Sequence, residues 1–91
     1  MTTDISDTFI KASNYLSQNK NINVSVSNQD KLSLYGFYKQ ATSGKCNISK
    51  PQGINMVQNA KWEQWYSLGE MTKEEAMENY IQIVKKLNIH F

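Results

Sequence analysis

The chain has 91 residues, of which 40% are hydrophobic and 20% charged, and its formal net charge is +2. This length allows one domain with a modest core, and the composition is typical of a globular chain and not of a disordered one. The mild charge excludes the strongly basic footprint of a nucleic-acid-binding protein, so a preference for an anionic ligand has to come from a local patch.

The first predicted element is a helix from about Asp4 to about Gln18. Its apolar residues recur at three- and four-residue spacing, which gives one apolar face: Ile5, Phe9, Ala12, Tyr15 and Leu16. The polar stretch Asn19–Asn28 follows. Its alternation between Ile22 and Val26 suggests a strand, but the chain offers no second strand to pair with it, so we expect a loop with its aliphatic residues turned inward.

The second predicted helix runs from roughly Gln29 to Thr42. Gly36 inside it costs about 1 kcal/mol relative to alanine, which indicates the close approach of a neighbour or a ligand. Ser43 and Gly44 are a stop signal. The connection Lys45–Asn55 is long for a helical bundle, so it allows the chain to cross the bundle instead of making a tight hairpin.

The third predicted helix covers roughly Met56 to Leu68, and we expect at least one of Trp62 and Trp65 in the core. The fourth begins at a capping box, Thr72-Lys-Glu-Glu75. Its apolar residues then follow the spacing of a helix with one buried face: Ala76, Tyr80, Ile83, Val84 and Leu87.

The sequence contains few residues that could catalyse a reaction. Cys46 and His90 are the only cysteine and the only histidine, and a nucleophilic pair between them has no motif support. No metal-ligand cluster and no glycine-rich phosphate loop is visible. A single cysteine fits a reducing compartment, and the first ten residues lack the basic and apolar regions of a signal peptide, so we expect a cytoplasmic protein.

Aromatic and lysine side chains form the most informative pattern. Tyr35, Tyr38 and Lys39 share one face of the second helix because residues three and four apart are neighbours there, and Lys31 lies one turn earlier. Lys61 and Trp65 share a face in the same way, and Tyr80 adds a phenol on the fourth helix. Such rings stack on flat bases and lysines bind phosphate. By spacing alone, core aromatics and solvated surface lysines are the more common explanation.

The segment Tyr35-Gly-Phe-Tyr-Lys-Gln-Ala-Thr-Ser-Gly44 changes that balance. Followed by Asn47, Pro51 and Ala60-Lys-Trp-Glu-Gln-Trp65, it resembles the acyl-CoA-binding protein family, whose pattern is approximately Y-x-x-Y-K-Q-A-T-x-G, N, P and A-K-W-x-A-W. The segments around Phe9 and Tyr80 are also similar to that family, so the resemblance covers nearly the whole chain. It implies an all-α, four-helix up-down-down-up bundle formed by residues 1–91 as a single domain.

The resemblance also implies roles for single residues. Tyr35 through Lys39 would form the main contact with the head group, a segment that includes Gly36 and Phe37. Tyr38 would stack near adenine, Lys39 and Lys61 would bind the ribose 3′-phosphate, and Tyr35 and Tyr80 would hydrogen-bond the nucleotide. Leu34 and neighbouring apolar side chains would line the acyl groove.

The expected function is therefore non-covalent binding of medium- to long-chain fatty acyl-CoA by a monomeric carrier of fatty acid metabolism. The ligand is acyl-CoA, with no cofactor, no catalysis, no nucleic acid and no stable membrane insertion; transient contact with a membrane or an acyl-CoA-using enzyme stays open. Ser17 and Val57 replace residues that are often basic in the family, and Lys31 replaces an apolar one. The alternative is a helical interaction module of the same fold with weakened ligand binding.

Overall fold

The computed structural model describes residues 4–18 and 26–91, which form four helices. These are α1 (Ile5–Gln18), α2 (Asn28–Ser43), α3 (Met56–Tyr66) and α4 (Lys73–Lys86). The described residues contain no strand, and the predicted all-α four-helix bundle is confirmed. The predicted loop after the first helix lies, for residues 19–25, outside the described residues.

Helices α2 and α4 pack against each other at the centre of the bundle, with α1 on α4 and α3 on α2. The buried core comes mainly from the apolar faces of α1 and α4 that the spacing predicted. Its members are Phe9, Ala12, Ala41, Ala76, Tyr80, Ile81, Val84 and Ile89. This core holds α4 against α1 and α2. A side chain on α4 can therefore be buried among them and still have its tip between α1 and α2.

Side-chain caps set where the helices begin. The Thr72 hydroxyl accepts from the Glu75 N–H and the Glu75 carboxylate accepts from the Thr72 N–H, both at 3.0 Å, so the predicted capping box is confirmed.

Helix α3 ends at Tyr66, two residues earlier than predicted. The N–H groups of Leu68 and Gly69 bond to carbonyls three residues back, and Gly69 has a φ of 58°, so the chain turns there instead of continuing the helix.

Gly36 lies at the seam between α2 and α3. A β-carbon at this position would be 2.8 Å from Cγ of Gln64 and 3.3 Å from its carbonyl oxygen. The predicted close approach to a glycine in the middle of α2 is therefore confirmed, and the neighbour is Gln64 of α3, through its side chain and its backbone.

Two buried polar side chains tie the loops to this seam. Gln40 is fully buried, and its Nε2 donates to the carbonyls of Gly69 and Met71 at 3.0 and 2.8 Å. Trp65, 2% exposed, donates from Nε1 to the carbonyl of Gly44 at 2.9 Å. The prediction that at least one tryptophan lies in the core is confirmed, and its ring closes the end of α2 against α3.

Candidate ligand-binding site

The aromatic cleft is a cavity of about 430 Å³ at which all four helices meet. Helix α2 supplies most of its wall, because its contributing residues are spaced by three and four and therefore lie on one face. Helices α1, α3 and α4 each add one side chain. The lining residues are Leu16, Lys31, Leu34, Tyr35, Tyr38, Lys61 and Tyr80.

Three aromatic rings pack together at this cleft, and two of them, Tyr38 and Tyr80, line it. Tyr80 packs edge-on against Phe9, with ring centroids 5.0 Å apart, and Tyr38 lies 5.9 Å from Phe9 and 6.3 Å from Tyr80. Tyr80 is 5% exposed, whereas Tyr38 is 42% exposed. The buried Tyr80 ring thus supports an exposed one, and Tyr38 is the ring of the three that a ligand can contact most readily.

The Tyr80 hydroxyl stays protonated over the whole physiological range. Burial, with a further contribution from Tyr38, raises the pKa of Tyr80 to about 12. A neutral phenol donates one hydrogen bond and accepts others. At the floor of the cleft, Tyr80 therefore offers a donor to an anionic or polar ligand without carrying a charge of its own.

The cations of the site are not neutralised by carboxylates. Lys61 places its Nζ 5.3 Å from the centroid of the Tyr35 ring, and Lys39 places its Nζ 5.0 Å from that of Trp65. Neither these lysines nor Lys31 takes part in the ion pairs formed among the described residues, which are Lys45–Glu70, Lys50–Glu63 and Lys86–Asp30. The ammonium groups of Lys39 and Lys61 lie over rings, so an anion can recruit them without breaking one of these salt bridges.

A second cavity, the apolar cleft, adjoins the aromatic cleft. Its volume is about 360 Å³, it lies between α2 and α3, and its lining residues are Asn28, Lys31, Leu32, Met56, Val57, Ala60 and Lys61. Lys31 and Lys61 line both clefts. The two clefts therefore share part of their walls, and this pair of lysines lies at the boundary between the aromatic cleft and the apolar cleft.

A third cavity, of about 420 Å³, opens on the α1 side of the aromatic cleft and shares Leu16, Tyr38 and Tyr80 with it. Hydroxyl and amide side chains form the rest of its wall: Ser13, Asn14 and Ser17. This wall of α1 is polar but uncharged, so hydrogen bonding and not charge attraction is what it offers to a ligand.

Five of the eight residues predicted for the site line the aromatic cleft, namely Leu34, Tyr35, Tyr38, Lys61 and Tyr80. The other three lie beside it. Gly36 is buried against α3, Phe37 packs against the core, and Lys39 sits over Trp65. Ligand contact by these eight residues stays a prediction, and for the last three the structure assigns a packing contact as well.

Sequence reasoning did not place Leu16, Leu32, Met56 and Ala60 in the site. Leu16 was predicted as part of the apolar face of the first helix, and its position near the end of that helix brings it to the cleft. Ala60 precedes Lys61, and Met56 lies one turn before Ala60, so helical spacing on α3 was a usable signal for the apolar cleft.

The described residues contain no group of three histidine, cysteine, aspartate or glutamate side chains able to hold a metal ion. None of the helices in the described part of the chain is long and apolar enough to cross a membrane. The residues that line the three cavities offer aromatic rings, ammonium groups, hydroxyls, amides and aliphatic side chains.

A family model and several known proteins are similar to this chain. The family model for acyl CoA binding protein matches residues 6–84. Human enoyl-CoA delta isomerase 2 is 41% identical over 75 residues, which are 82% of this chain and 19% of that protein. Acyl-CoA-binding domain-containing protein 4 of Oryza sativa subsp. japonica is 39% identical over 85 residues, 93% of this chain and 25% of that protein. The chain thus spans a quarter or less of the length of these two relatives.

Solved structures match over nearly their whole length. The crystal structure of Oryza sativa acyl-CoA-binding protein 2 superposes with a TM-score of 0.80 at 36% identity, covering 93% of this chain and 91% of that one. The solution structure of acyl CoA binding protein from Babesia bovis T2Bo gives a TM-score of 0.77 at 38% identity, covering 92% and 93%.

Four helices around an aromatic, cationic cleft that adjoins an apolar one are the features of a small ligand-binding domain. The matched family model spans most of the chain, and the chain belongs to the acyl-CoA-binding protein family.

Proposed function

We propose that this chain binds fatty acyl-CoA esters of medium to long chain length non-covalently and acts as a monomeric carrier in the cytoplasm. The observation that supports this best is the junction of the two clefts. Tyr35, Tyr38 and Tyr80 surround the aromatic cleft, and Lys31 and Lys61 separate it from an aliphatic one. Acyl-CoA has the same division, with a flat base and phosphates at one end and a hydrocarbon at the other.

The nucleotide half of the ligand fits the aromatic cleft. The exposed ring of Tyr38 offers a stacking face for adenine, and the hydroxyls of Tyr35 and Tyr80 offer hydrogen bonds to the nucleotide. Lys61 supplies a charge-assisted contact with the ribose 3′-phosphate. Lys39 follows Tyr35 by one helical turn, so its ammonium reaches the same phosphate by rotating away from Trp65.

The acyl half fits the apolar cleft, where Leu32, Met56, Val57 and Ala60 form the wall, and Leu34 lines the adjoining aromatic cleft. Burial of hydrocarbon contributes about 0.8 kcal/mol per methylene. Eight added carbons therefore contribute at most ~6 kcal/mol before the cost of ordering the chain. Affinity should rise with chain length until the cleft is filled and then stay constant.

The proposed role is binding and not catalysis. The residues that line the two clefts include no histidine, cysteine or carboxylate that could act as a base or nucleophile on a thioester. We expect such a site to sequester the thioester and to pass it to acyl-CoA-using enzymes. Incubation with palmitoyl-CoA and a thiol reagent should release no free CoA; release would identify a thioesterase.

Calorimetry with three ligands tests the proposal: palmitoyl-CoA, its 3′-dephospho analogue and free palmitate. We expect palmitoyl-CoA to bind most tightly and palmitate most weakly. Lys61→Met should weaken palmitoyl-CoA binding about tenfold or more and reduce the difference between the first two ligands, since one charged hydrogen bond contributes about 1.5–3 kcal/mol. Lys11→Met, an exposed lysine of α1 outside the clefts, is the matched control.

Equal affinity for the three ligands would contradict the proposal. The second candidate function is a protein-interaction module of the same fold that has weakened ligand binding, and the observation in its favour is that Ser17 and Val57 contribute no charge to the cavities they line. Native mass spectrometry separates the two, because a carrier takes up palmitoyl-CoA from solution and a module that has lost its ligand does not.

A further inference from the structure

Three aliphatic side chains project into solvent where the α2–α3 connection enters α3. Ile54 is 98% exposed, Met56 83% and Val57 62%. Single exposed apolar residues are common on protein surfaces, but a cluster within four consecutive residues is a patch that marks a contact surface. We call these three residues the apolar lip.

Local hydrogen bonds hold the backbone of the apolar lip in place. The Asn55 side chain caps α3 by accepting from the Gln58 N–H at 3.1 Å, and the Asn59 side chain donates to the carbonyl of Gly53 at 3.4 Å. Ile54 therefore sits between two anchored residues, and its exposure is imposed by the fold.

Lysines predominate in the sequence that flanks the apolar lip. From Lys31 through Trp62 the sequence contains no aspartate or glutamate and five lysines, which are Lys31, Lys39, Lys45, Lys50 and Lys61. Helix α3 has no acidic residue in its first turn, so the positive end of its dipole is uncompensated there. Lys45 and Lys50 form ion pairs with Glu70 and Glu63, so the cations beside the apolar lip that an anionic surface can recruit are Lys31 and Lys61 of the apolar cleft.

The apolar lip is also the edge of the apolar cleft, because Met56 and Val57 line that cleft while Ile54 extends beyond it. Lys31 and Lys61 line the same cleft. Aliphatic side chains flanked by lysines match the two layers of an anionic bilayer surface, with hydrocarbon below and phosphate above. Three side chains are too few for a specific protein interface of about 1,000 Å².

We propose that the apolar lip docks the opening of the apolar cleft on anionic phospholipid membranes, with Ile54 inserted at the interface. In this position a hydrocarbon chain passes between bilayer and cleft without crossing water. Docking itself does not rest on the proposed function, since it is measured on the protein without ligand.

Liposome sedimentation of the ligand-free protein is the first test. Vesicles of phosphatidylcholine with about 30% phosphatidylserine should bind it, vesicles of phosphatidylcholine alone should bind it weakly, and salt should reduce binding. Ile54→Ser should lower the partition coefficient about tenfold, since it removes buried hydrocarbon from the interface. Ile10→Ser, on α1 and 50% exposed in the native protein, is the matched control and should bind as the native protein does.

The second test follows the ligand. Ile54 lines neither cleft, so Ile54→Ser should keep the calorimetric affinity for palmitoyl-CoA in solution while transfer of palmitoyl-CoA from vesicles slows. Equal vesicle binding by the Ile54→Ser and Ile10→Ser variants would overturn the proposal. So would binding that depends on charge alone, because the lysine surface would then dock any acidic partner, including an acidic protein. Loss of palmitoyl-CoA affinity in every variant would count against the proposed function. The vesicle-binding result would still test docking, because it is measured on the protein without ligand.

Discussion

Replacement of Gly36 by alanine tests the seam between α2 and α3 most directly. Two effects oppose each other. Alanine favours the helix by about 1 kcal/mol relative to glycine. Against this, the new methyl group would lie 2.8 Å from Cγ of Gln64 and 3.3 Å from its carbonyl oxygen, where carbon atoms prefer about 3.5–4.0 Å.

Overpacking of this kind typically costs about 1–3 kcal/mol. The carbonyl oxygen belongs to the backbone of α3, so rotation of the Gln64 side chain relieves only part of the overlap. We therefore expect Gly36→Ala to lower the free energy of unfolding by about 1 kcal/mol, because the strain exceeds the gain in helix propensity. Separation of the helices should also move Lys61 away from Tyr35 and weaken binding of palmitoyl-CoA.

Urea unfolding of a double-mutant cycle provides the assay. Gln64→Ala removes Cγ and leaves the backbone contact, so Gly36→Ala should be less harmful in that background, with a coupling energy of at least about 0.5 kcal/mol. Gly53→Ala is the control, since a β-carbon there has no neighbour closer than 4.0 Å. The reasoning is refuted if Gly36→Ala stabilises the native protein by its full helix propensity, or if the two substitutions are additive.

Three further predictions concern other parts of the molecule. Gln40→Leu should lower the free energy of unfolding by about 2 kcal/mol or more, since two loop carbonyls lose their buried donor; a change no larger than that of the exposed Gln29→Leu would contradict this. The Thr72 N–H holds the pKa of Glu75 below its ordinary value. The stability that Glu75 contributes is therefore present above its unfolded-state pKa of roughly 4.3 and is lost as pH falls through the folded-state pKa. Glu75→Gln should reduce the fall of the unfolding temperature at acid pH, and an unchanged fall would show that the capping box does not cause it. Lys31→Met should weaken palmitoyl-CoA binding about threefold to tenfold and reduce its salt dependence; tighter binding would show that Lys31 acts on the hydrocarbon and not on a phosphate.

The helices were predictable because each carries a local signal. The apolar spacing of α1 and α4 and the Thr72–Glu75 capping box place two helices without knowledge of the rest of the chain. The end of α3 was predicted two residues late. The three-residue bonds of Leu68 and Gly69 form a turn there, and this turn is held by a hydrogen bond from Gln40, which is distant in sequence.

The aromatic cleft was predictable in part for a similar reason. Tyr35 and Tyr38 lie on one helix face, so their spacing brings them together, and the family pattern adds Lys61 and Tyr80. Which lysine faces which ring was not predictable: Lys39 contacts Trp65 and Lys61 contacts Tyr35, a pairing that depends on how closely α3 approaches α2 at Gly36. The apolar lip was also missed, because exposure of an isoleucine is a property of tertiary structure and not of its spacing.

Helix α3 contacts α2 and, among the helices of the described chain, no other. A segment with one packed neighbour opens at a lower free energy than a segment packed between two, so its amide protons exchange with solvent sooner. Lys61 lies on α3, whereas Tyr35 and Tyr38 lie on α2. A ligand that contacts both helices therefore adds a second attachment for α3, and we expect it to slow the exchange of the α3 amide protons.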